Sequence, residues 1–425
     1  MYIEQAKPPH WITLNQVIFL LLSFTLWIDA LTGMVQLYGI SNIKLSLLYK
    51  LPLVLCMLYV VGEHNHKLML AIMLAMFLLL LGPSSYFLTS PKISFYVKDF
   101  GNVVKILTPF IVFCYCKTLA EVAPNLLGKY GLRALWINFG AIVFNLIIGV
   151  MGFGYPSYAS GGVDDEGIGI NGFYTAGNEF GGCFILLFGF VLHYFWNKNK
   201  LHFFFMAIAT FISGALIATK SAMIASLLLI FAIPLFNERK NIFRFTKLKL
   251  KLFVPISVLS LLLVVFIIEF LEAVGLYDKM HFILNERGIL HLILSGRVEF
   301  SEAILSAFMS VASGFEYLFG IGAVGISDFF ATKYSAEVDP VDLFAYYGLI
   351  GLTASYAFII IMTVTALSVL KTDKYLPPII ILVNLILILL SILSGHIMMS
   401  GMLGLIWGLL NGLIFIKKVN KPIGL

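Results

Sequence analysis

The chain has 425 residues, of which 60% are hydrophobic and 12% are charged, and its formal net charge is +6 at pH 7. Soluble domains average about 25% charged residues, so this composition excludes a series of soluble globular domains. We therefore expect an all-α polytopic membrane protein, with lipid as the outer solvent. The basic residues are scattered among apolar runs, which favours charge asymmetry across a membrane over nucleic-acid binding.

Twelve apolar runs are each long enough to cross a bilayer as a helix, which takes about 20 mostly apolar residues. They lie near residues 13–33, 45–62, 67–84, 99–120, 133–153, 179–196, 201–218, 221–237, 252–272, 346–370, 377–395 and 398–416. The whole chain, residues 1–425, would then form a single integral membrane domain.

Twelve spans place both termini on one side of the membrane, and the connections alternate between two sets. The set that contains the termini carries 18 Lys and Arg residues, and the other set carries 10. Its densest basic block lies within residues 239–251. The positive-inside rule makes this set cytoplasmic, so we expect both termini inside the cell.

Two long connections belong to the outer set. The loop over 154–178 is rich in Gly, Ser and Tyr, and the loop over 273–345 holds nine of the 22 acidic residues. A loop of about 70 residues is too long to be structureless in a compact protein. Its apolar runs at 288–294 and 300–312 indicate amphipathic helices at the outer face.

Arg297 stands at the start of the second of these helical stretches, which we expect to reach Ala312. An arginine at a helix start can bind a phosphate group through two parallel hydrogen bonds. The alternative is a solvated loop arginine.

Three carboxylates, those of Glu337, Asp339 and Asp342, stand directly before the span near 346–370. Acids at a helix N-terminus are stabilised by the helix dipole, so capping is one interpretation. A carboxylate held at the membrane surface as a general base is the other. The two are compatible, with Asp339 as the cap and Glu337 available for chemistry.

Three further polar residues stand at span ends on the outer side: Asn178, Lys220 and His396. Asn178 follows a glycine-rich stretch and needs a polar partner at the start of its span. An ionisable residue such as Lys220 in this position is a functional candidate, with snorkelling to the surface as the alternative. A lone histidine is more often structural than catalytic.

Short motifs in three places resemble the O-antigen polymerase and O-antigen ligase superfamily. The first is Ser295-Gly296-Arg297 with Leu318-Phe319-Gly320-Ile321-Gly322 downstream. The others are the polar residues before Tyr347-Gly348-Leu349-Ile350-Gly351-Leu352, and Thr219-Lys220-Ser221-Ala222. The span count and the large outer loop agree with this layout.

The resemblance implies a multi-span glycosyltransferase of the bacterial inner membrane that acts at its periplasmic face. The ligases of the family carry a histidine eleven positions before the first glycine of the G-[LI]-[IL]-G turn, and that position holds Glu337 here. This departure favours a polymerase. The arginine of the family's large outer loop falls on Arg297, an earlier arginine falls on Lys220, and an asparagine falls on Asn178.

The implied reaction joins undecaprenyl-diphosphate-linked glycans, one as donor and one as acceptor. Glu337 would be the general base, oriented by Asp339 or Asp342, and Arg297 and Lys220 would hold the diphosphate, with Arg287 as a further candidate. Tyr347 and His396 would contact the substrate. No metal or other cofactor is expected, and the expected partners are the two lipid-linked glycans, the lipid bilayer and a chain-length regulator in the membrane.

Two rival functions remain open. An O-antigen ligase would transfer finished polysaccharide to a lipid A core. A non-enzymatic transporter or lipid flippase would carry charged residues near the middle of its spans and paired broken helices.

Overall fold

The computed structural model describes residues 9–41, 43–158, 167–238, 297–372 and 375–416, together with scattered positions between 254 and 288. Helices dominate these residues. In chain order they are α1 Pro9–Ser23, α2 Thr25–Leu37, α3 Leu45–His64, α4 His66–Thr89, α5 Ile93–Val122, α6 Pro124–Leu126, α7 Leu132–Val150, α8 Gly177–Lys198, α9 Lys200–Ile217, α10 Lys220–Asn237, α11 Arg297–Val311, α12 Gly314–Phe319, α13 Gly322–Ser327, α14 Asp339–Val369, α15 Leu376–Leu393 and α16 Leu403–Gly412. A π-helical turn, Leu127–Gly131, joins α6 to α7.

Nine helices in the described parts of the chain are long and apolar enough to cross a membrane, and the bent pair α1 and α2 brings the number to ten. The polytopic membrane class is therefore confirmed. The predicted span over 252–272 lies outside the described residues, so the total of twelve stays a prediction.

Four helices form the centre of the bundle, one of them α16, all ten residues of which are buried. About 83% of the apolar window is buried in α5 and in α8, and 72% in α15, against 22% in α4. The outward side chains of peripheral helices such as α4 are Leu, Phe and Met, which suits contact with lipid chains.

Three predicted spans are interrupted. The first bends by 49° between α1 and α2. Gly348, with φ 64°, breaks α14 one third of the way along.

The last predicted span, near 398–416, becomes helical only at Leu403, and the apolar helix Leu403–Phe415 covers about 20 Å at 1.5 Å per residue. This is shorter than a hydrocarbon core of about 30 Å. The segment before it, residues 394–402, is not helical and lies against the starts of other helices.

The loop over 154–178 contains a β-hairpin that the all-α expectation missed. Strand β1, Tyr155–Tyr158, pairs antiparallel with β2, Ile168–Gly172. Asn145 of α7 fixes the hairpin, because its side chain donates to the carbonyl of Asn171 and accepts from the N–H of Phe173, both at 2.7 Å.

Some polar contacts between distant segments lie at the two ends of the helices, and others, such as that of Trp407 with Asn384, lie within them. At the start of α8, Asn178 donates to the carbonyl of Ser394. At the other end of α8, Asn197 donates to the side chain of Asn237. Connections that the predicted alternation assigns to one side therefore share one end of the bundle. We call the end that carries Asn178 the Arg297 end, because Arg297 lies there too.

Candidate functional site

Arg297 and Glu337, predicted from separate motifs, form an ion pair at the Arg297 end. The Arg297 Nη2 atom lies 3.1 Å from Glu337 Oε2, and the two side chains are 15% and 27% exposed. Arg297 is the first described residue of α11, and Glu337 precedes α14. Nη1 also points at the carbonyl of Leu393, 3.5 Å away, while Nε is buried and finds no acceptor among the described residues. Arg297 therefore has hydrogen-bonding capacity that these contacts do not use.

A lysine and a histidine also lie beside the Glu337 carboxylate. Lys333 Nζ lies 2.9 Å from Oε1, and His396 Nε2 lies 4.0 Å from the same oxygen. Burial raises the pKa of Glu337, but the hydrogen bond and charge of Lys333, with the charges of His396 and Arg297, outweigh it. The net result is a pKa below the usual value, so Glu337 is ionised at neutral pH. We call Arg297, Lys333, Glu337 and His396 the accessible cluster.

Asp342 holds the turn that presents Glu337. Its fully buried carboxylate accepts hydrogen bonds from the Ser335 hydroxyl and the Ala336 N–H, both at 2.7 Å, and from the Glu337 N–H at 3.2 Å. Glu337 takes up a left-handed backbone conformation, with φ 57°, which costs energy for a residue with a side chain. Asp342 is thus a positioning residue that stabilises this strained turn.

Asp339 fixes the backbone that carries His396, as Asp342 does for Glu337. Its carboxylate accepts from three successive N–H groups, those of His396 at 2.7 Å and of Ile397 and Met398 at 2.9 Å. The prediction that Asp339 caps its own helix is wrong, because Val338 is the N-cap of α14 and the Asp339 side chain faces the segment 394–402 instead. A buried carboxylate needs donors, and the backbone of this non-helical segment supplies them.

The turns that carry Glu337 and His396 pack back to back. Gly395 has φ 58°, and a Cβ on it would lie 2.4 Å from the carbonyl carbon and oxygen of Glu337. Only glycine allows this approach, since an alanine here would be both strained and in collision. The separation of Glu337 and His396 thus depends on Gly395.

A third carboxylate, that of Glu179, fixes the far part of the segment 394–402. It accepts from the Ser400 hydroxyl at 2.7 Å and from the Met402 N–H at 3.0 Å. The neighbouring Asn178 donates to the carbonyl of Ser394 at 3.1 Å. Asn178 therefore binds the segment that carries His396, and the start of α8 acts as its support. We call the two fully buried carboxylates, those of Asp339 and Asp342, the buried anchors; the half-buried Glu179 supports the same segment.

Lys220 lies at the start of α10, close enough to Arg297 that the charge of Arg297 disfavours the protonated form of Lys220 and lowers its pKa. It is exposed. The positive charges of Lys220 on α10 and Arg297 on α11 repel each other, and an anion bound beside both would relieve this repulsion.

Another predicted residue, Tyr347, lies elsewhere. Tyr347 is fully buried, and its hydroxyl donates to Asp99 at 3.4 Å, so it lies inside the protein and does not face the accessible cluster. Asp99 also accepts from the N–H groups of Ala323 and Val324. Arg287 lies outside the described residues.

Sequence reasoning missed Lys333, and it named Glu179 only as a residue that needs a polar partner at the start of its span. Lys333 stands four positions before Glu337. This spacing predicts contact between side chains only on a helix, and these residues are not helical, so the sequence did not indicate the pair. Glu179 stands beside Asn178 at a span start, where an acid needs a partner, and that partner is about 220 positions away. No group of three or more His, Cys, Asp or Glu side chains that could hold a metal ion occurs among the described residues.

The accessible cluster combines an ionised carboxylate with cations that can bind an anionic group. Such an arrangement can remove a proton from a hydroxyl while it neutralises negative charge on a leaving group. No protein-family model matches the chain, and a search of curated proteins finds no match.

Proposed function

We propose that this protein is a glycosyltransferase that polymerises undecaprenyl-diphosphate-linked oligosaccharide repeat units at the periplasmic face of the bacterial inner membrane. The product would be O-antigen or a related surface polysaccharide. The observation that carries the proposal is the ion pair between Arg297 and Glu337 at one end of a bundle of membrane-crossing helices. The short motifs around both residues, and around Lys220, add the resemblance to O-antigen polymerases.

Arg297 and Lys220 would hold the diphosphate of the donor. A guanidinium binds phosphate oxygens through paired hydrogen bonds, and Arg297 Nε has no acceptor among the described residues. The leaving diphosphate gains negative charge as the glycosidic bond breaks, so nearby cations stabilise the transition state. The lipid tails of donor and acceptor would lie along the apolar outer faces of the bundle.

Glu337 would accept the proton of the acceptor hydroxyl. A carboxylate with a lowered pKa is a weak base while Arg297 and Lys333 neutralise it. A bound diphosphate competes for those two cations and so raises the basicity of Glu337. Donor binding would therefore activate the base, which limits proton transfer to the complex with substrate.

Ligase activity is the second candidate, and one observation favours it. His396 lies 4.0 Å from Glu337, so a histidine is present beside the position where the related ligases carry one. In that case His396 would be the base and Glu337 would orient it.

Deletion of the gene separates the two candidates. Loss of a polymerase leaves lipid-linked single repeat units, whereas loss of a ligase leaves long polymer on its lipid carrier. We expect single units, which electrophoresis of extracted lipid-linked glycans would reveal. Long unligated polymer in the deletion strain would reject the proposal in favour of the ligase.

A further inference from the structure

Three residues other than glycine have a positive φ in the described part of the chain, and all three lie at the Arg297 end. Two of them are Glu337, with φ 57°, and His396, with φ 59°, both members of the accessible cluster. The third is Ala218, with φ 58°, which is the C-cap of α9 and stands two positions before Lys220. A left-handed conformation is costly for a residue with a Cβ, and such strain persists only where the surrounding structure enforces it. The turn between α9 and α10 must therefore be held by contacts from outside it.

The start of α10 lies beside the accessible cluster. The end of α10 is at the opposite end of the bundle, because Asn237 there accepts from Asn197 at the end of α8. The helix α10 packs against α15, which ends at Leu393. The carbonyl of Leu393 lies 3.5 Å from Arg297 Nη1. Lys220 and Arg297 therefore adjoin the same end of one packed, antiparallel helix pair.

The β-hairpin supplies a contact that holds the turn between α9 and α10. The Ser157 hydroxyl of β1 donates to the carbonyl of Ile217 at 2.6 Å. That carbonyl belongs to the planar peptide group that joins Ile217 to Ala218, and the orientation of this group sets φ of Ala218. The hydrogen bond from Ser157 therefore acts directly on the strained backbone conformation.

The second strand of the hairpin closes on the same turn. A Cβ on Gly169, which has φ 77°, would lie 2.6 Å from the Ile217 carbonyl oxygen and 2.8 Å from the Ala218 Cβ. Only glycine allows the strand to approach so closely. The hairpin is itself held by Asn145 of α7, which donates to the Asn171 carbonyl at 2.7 Å. The turn thus packs against a fixed support.

Thr219 is the one residue between the strained turn and Lys220. It is the N-cap of α10, and its side-chain oxygen accepts from the N–H of Ala222 at 3.2 Å. A capped helix start is ordered, so a rotation of the backbone at Ala218 moves Lys220 with the first turn of α10. The position of Lys220 relative to Arg297 therefore depends on the peptide group that Ser157 holds.

We propose that Ser157 is a positioning residue, which sets Lys220, through the turn at Ala218, to bind the donor diphosphate together with Arg297. The inference deepens the proposed function and rests on it for the identity of the ligand. Ser157 acts through Lys220 and makes no contact with the diphosphate. A lysine that is already ordered loses less conformational entropy when it binds a phosphate group, so the fixed turn strengthens binding.

A double-mutant cycle tests the link between Ser157 and Lys220. The full-length protein in nanodiscs of phosphatidylcholine is titrated with undecaprenyl diphosphate, and the Kd is measured. We expect Ser157→Ala to weaken binding about threefold to tenfold, the value of one hydrogen bond. In the Lys220→Ala background the same substitution should change the Kd by less than about twofold. Equal losses in the two backgrounds, or no loss from Ser157→Ala, would overturn the proposal.

Two further variants separate positioning from a general loss of folding. Ala218→Gly in the Ser157→Ala protein should restore most of the affinity, because glycine adopts a positive φ without strain. Ser327→Ala removes another hydroxyl that donates to a carbonyl, that of Val324 at 2.7 Å, and should leave the Kd unchanged. If glycine at position 218 restores nothing, or Ser327→Ala weakens binding equally, the effect does not pass through the turn and the proposal fails.

Failure of this link and failure of the proposed function give different results. The reactivity of Lys220 toward a pulse of acetic anhydride, measured by peptide mass spectrometry relative to Lys92, requires no ligand. We expect Ser157→Ala to change this ratio by at least about twofold. A changed ratio in a protein that does not bind undecaprenyl diphosphate would retain the positioning of Lys220 and reject the diphosphate assignment. An unchanged ratio in a protein that binds it would retain the function and reject Ser157 as a positioning residue.

Discussion

The accessible cluster and the buried anchors use the same kinds of side chain in opposite surroundings. Glu337 is partly exposed and faces Arg297, Lys333 and His396. Asp339 and Asp342, within five residues of it, are fully buried and accept hydrogen bonds chiefly from backbone N–H groups. The comparison teaches that a cluster of acids in a sequence can divide into one group that meets substrate and others that shape the backbone around it.

The largest expected effect is the loss of polymerisation in Glu337→Gln. Glutamine keeps the size of the side chain but cannot accept the proton, so the rate should fall about 10²- to 10⁴-fold. Thermal unfolding should change little, because Glu337 is partly exposed. The assay is chain extension by purified protein on a lipid-linked repeat unit.

Asp328→Asn is the matched control for Glu337→Gln. Asp328 is also a carboxylate of the 297–338 segment and is also paired with a lysine, Lys92 at 2.6 Å, but it lies outside the accessible cluster. It should keep full activity. Equal losses in the two variants would mean that any charge change in this segment disables the protein.

Arg297→Lys should have the next largest effect. Lysine keeps the charge but cannot contact both Glu337 and the Leu393 carbonyl. It also cannot bind a phosphate group through two parallel hydrogen bonds. We expect a loss of about 10- to 100-fold in chain extension, from the value of a charge-assisted hydrogen bond. Activity equal to that of the unaltered protein would show that Arg297 acts as a charge alone.

Asp339→Asn should destabilise the protein more than Glu337→Gln does. An amide oxygen accepts fewer hydrogen bonds than a carboxylate, and its NH₂ group faces three N–H donors. Each unmet buried group costs about 1–3 kcal/mol. A lower unfolding temperature in detergent checks this. Stability equal to that of Glu337→Gln would contradict the division into anchors and accessible cluster.

The smallest expected effect concerns pH. Because the pKa of Glu337 is lowered, the carboxylate is fully ionised above its usual range and protonates only as the pH falls through the lowered value. At donor concentrations far below saturation, where the rate reports the free protein, chain extension should therefore be flat from about pH 6 to 8. A several-fold fall in the rate within that range would contradict Glu337 as the base.

The sequence predicted the helical membrane class because apolar runs of about 20 residues satisfy their backbone hydrogen bonds in lipid as helices. It also predicted that Arg297 lies in a helix and that Glu337 and His396 share one end of the bundle. It missed the hairpin around Asn171 and the contacts of Asp339 and Glu179 with residues 396–402. These hydrogen bonds join segments that are far apart in the sequence, and local composition does not predict which backbone N–H groups will donate to a given carboxylate.

The most direct measurement of the central claim is chain length in a reconstituted system. Purified protein in nanodiscs receives one lipid-linked repeat unit as both donor and acceptor, and products are separated by size. The unaltered protein and Asp328→Asn should build a ladder of lengthening glycans, while Glu337→Gln should leave single units. A ladder of normal length from Glu337→Gln would contradict the account of Glu337 as the general base.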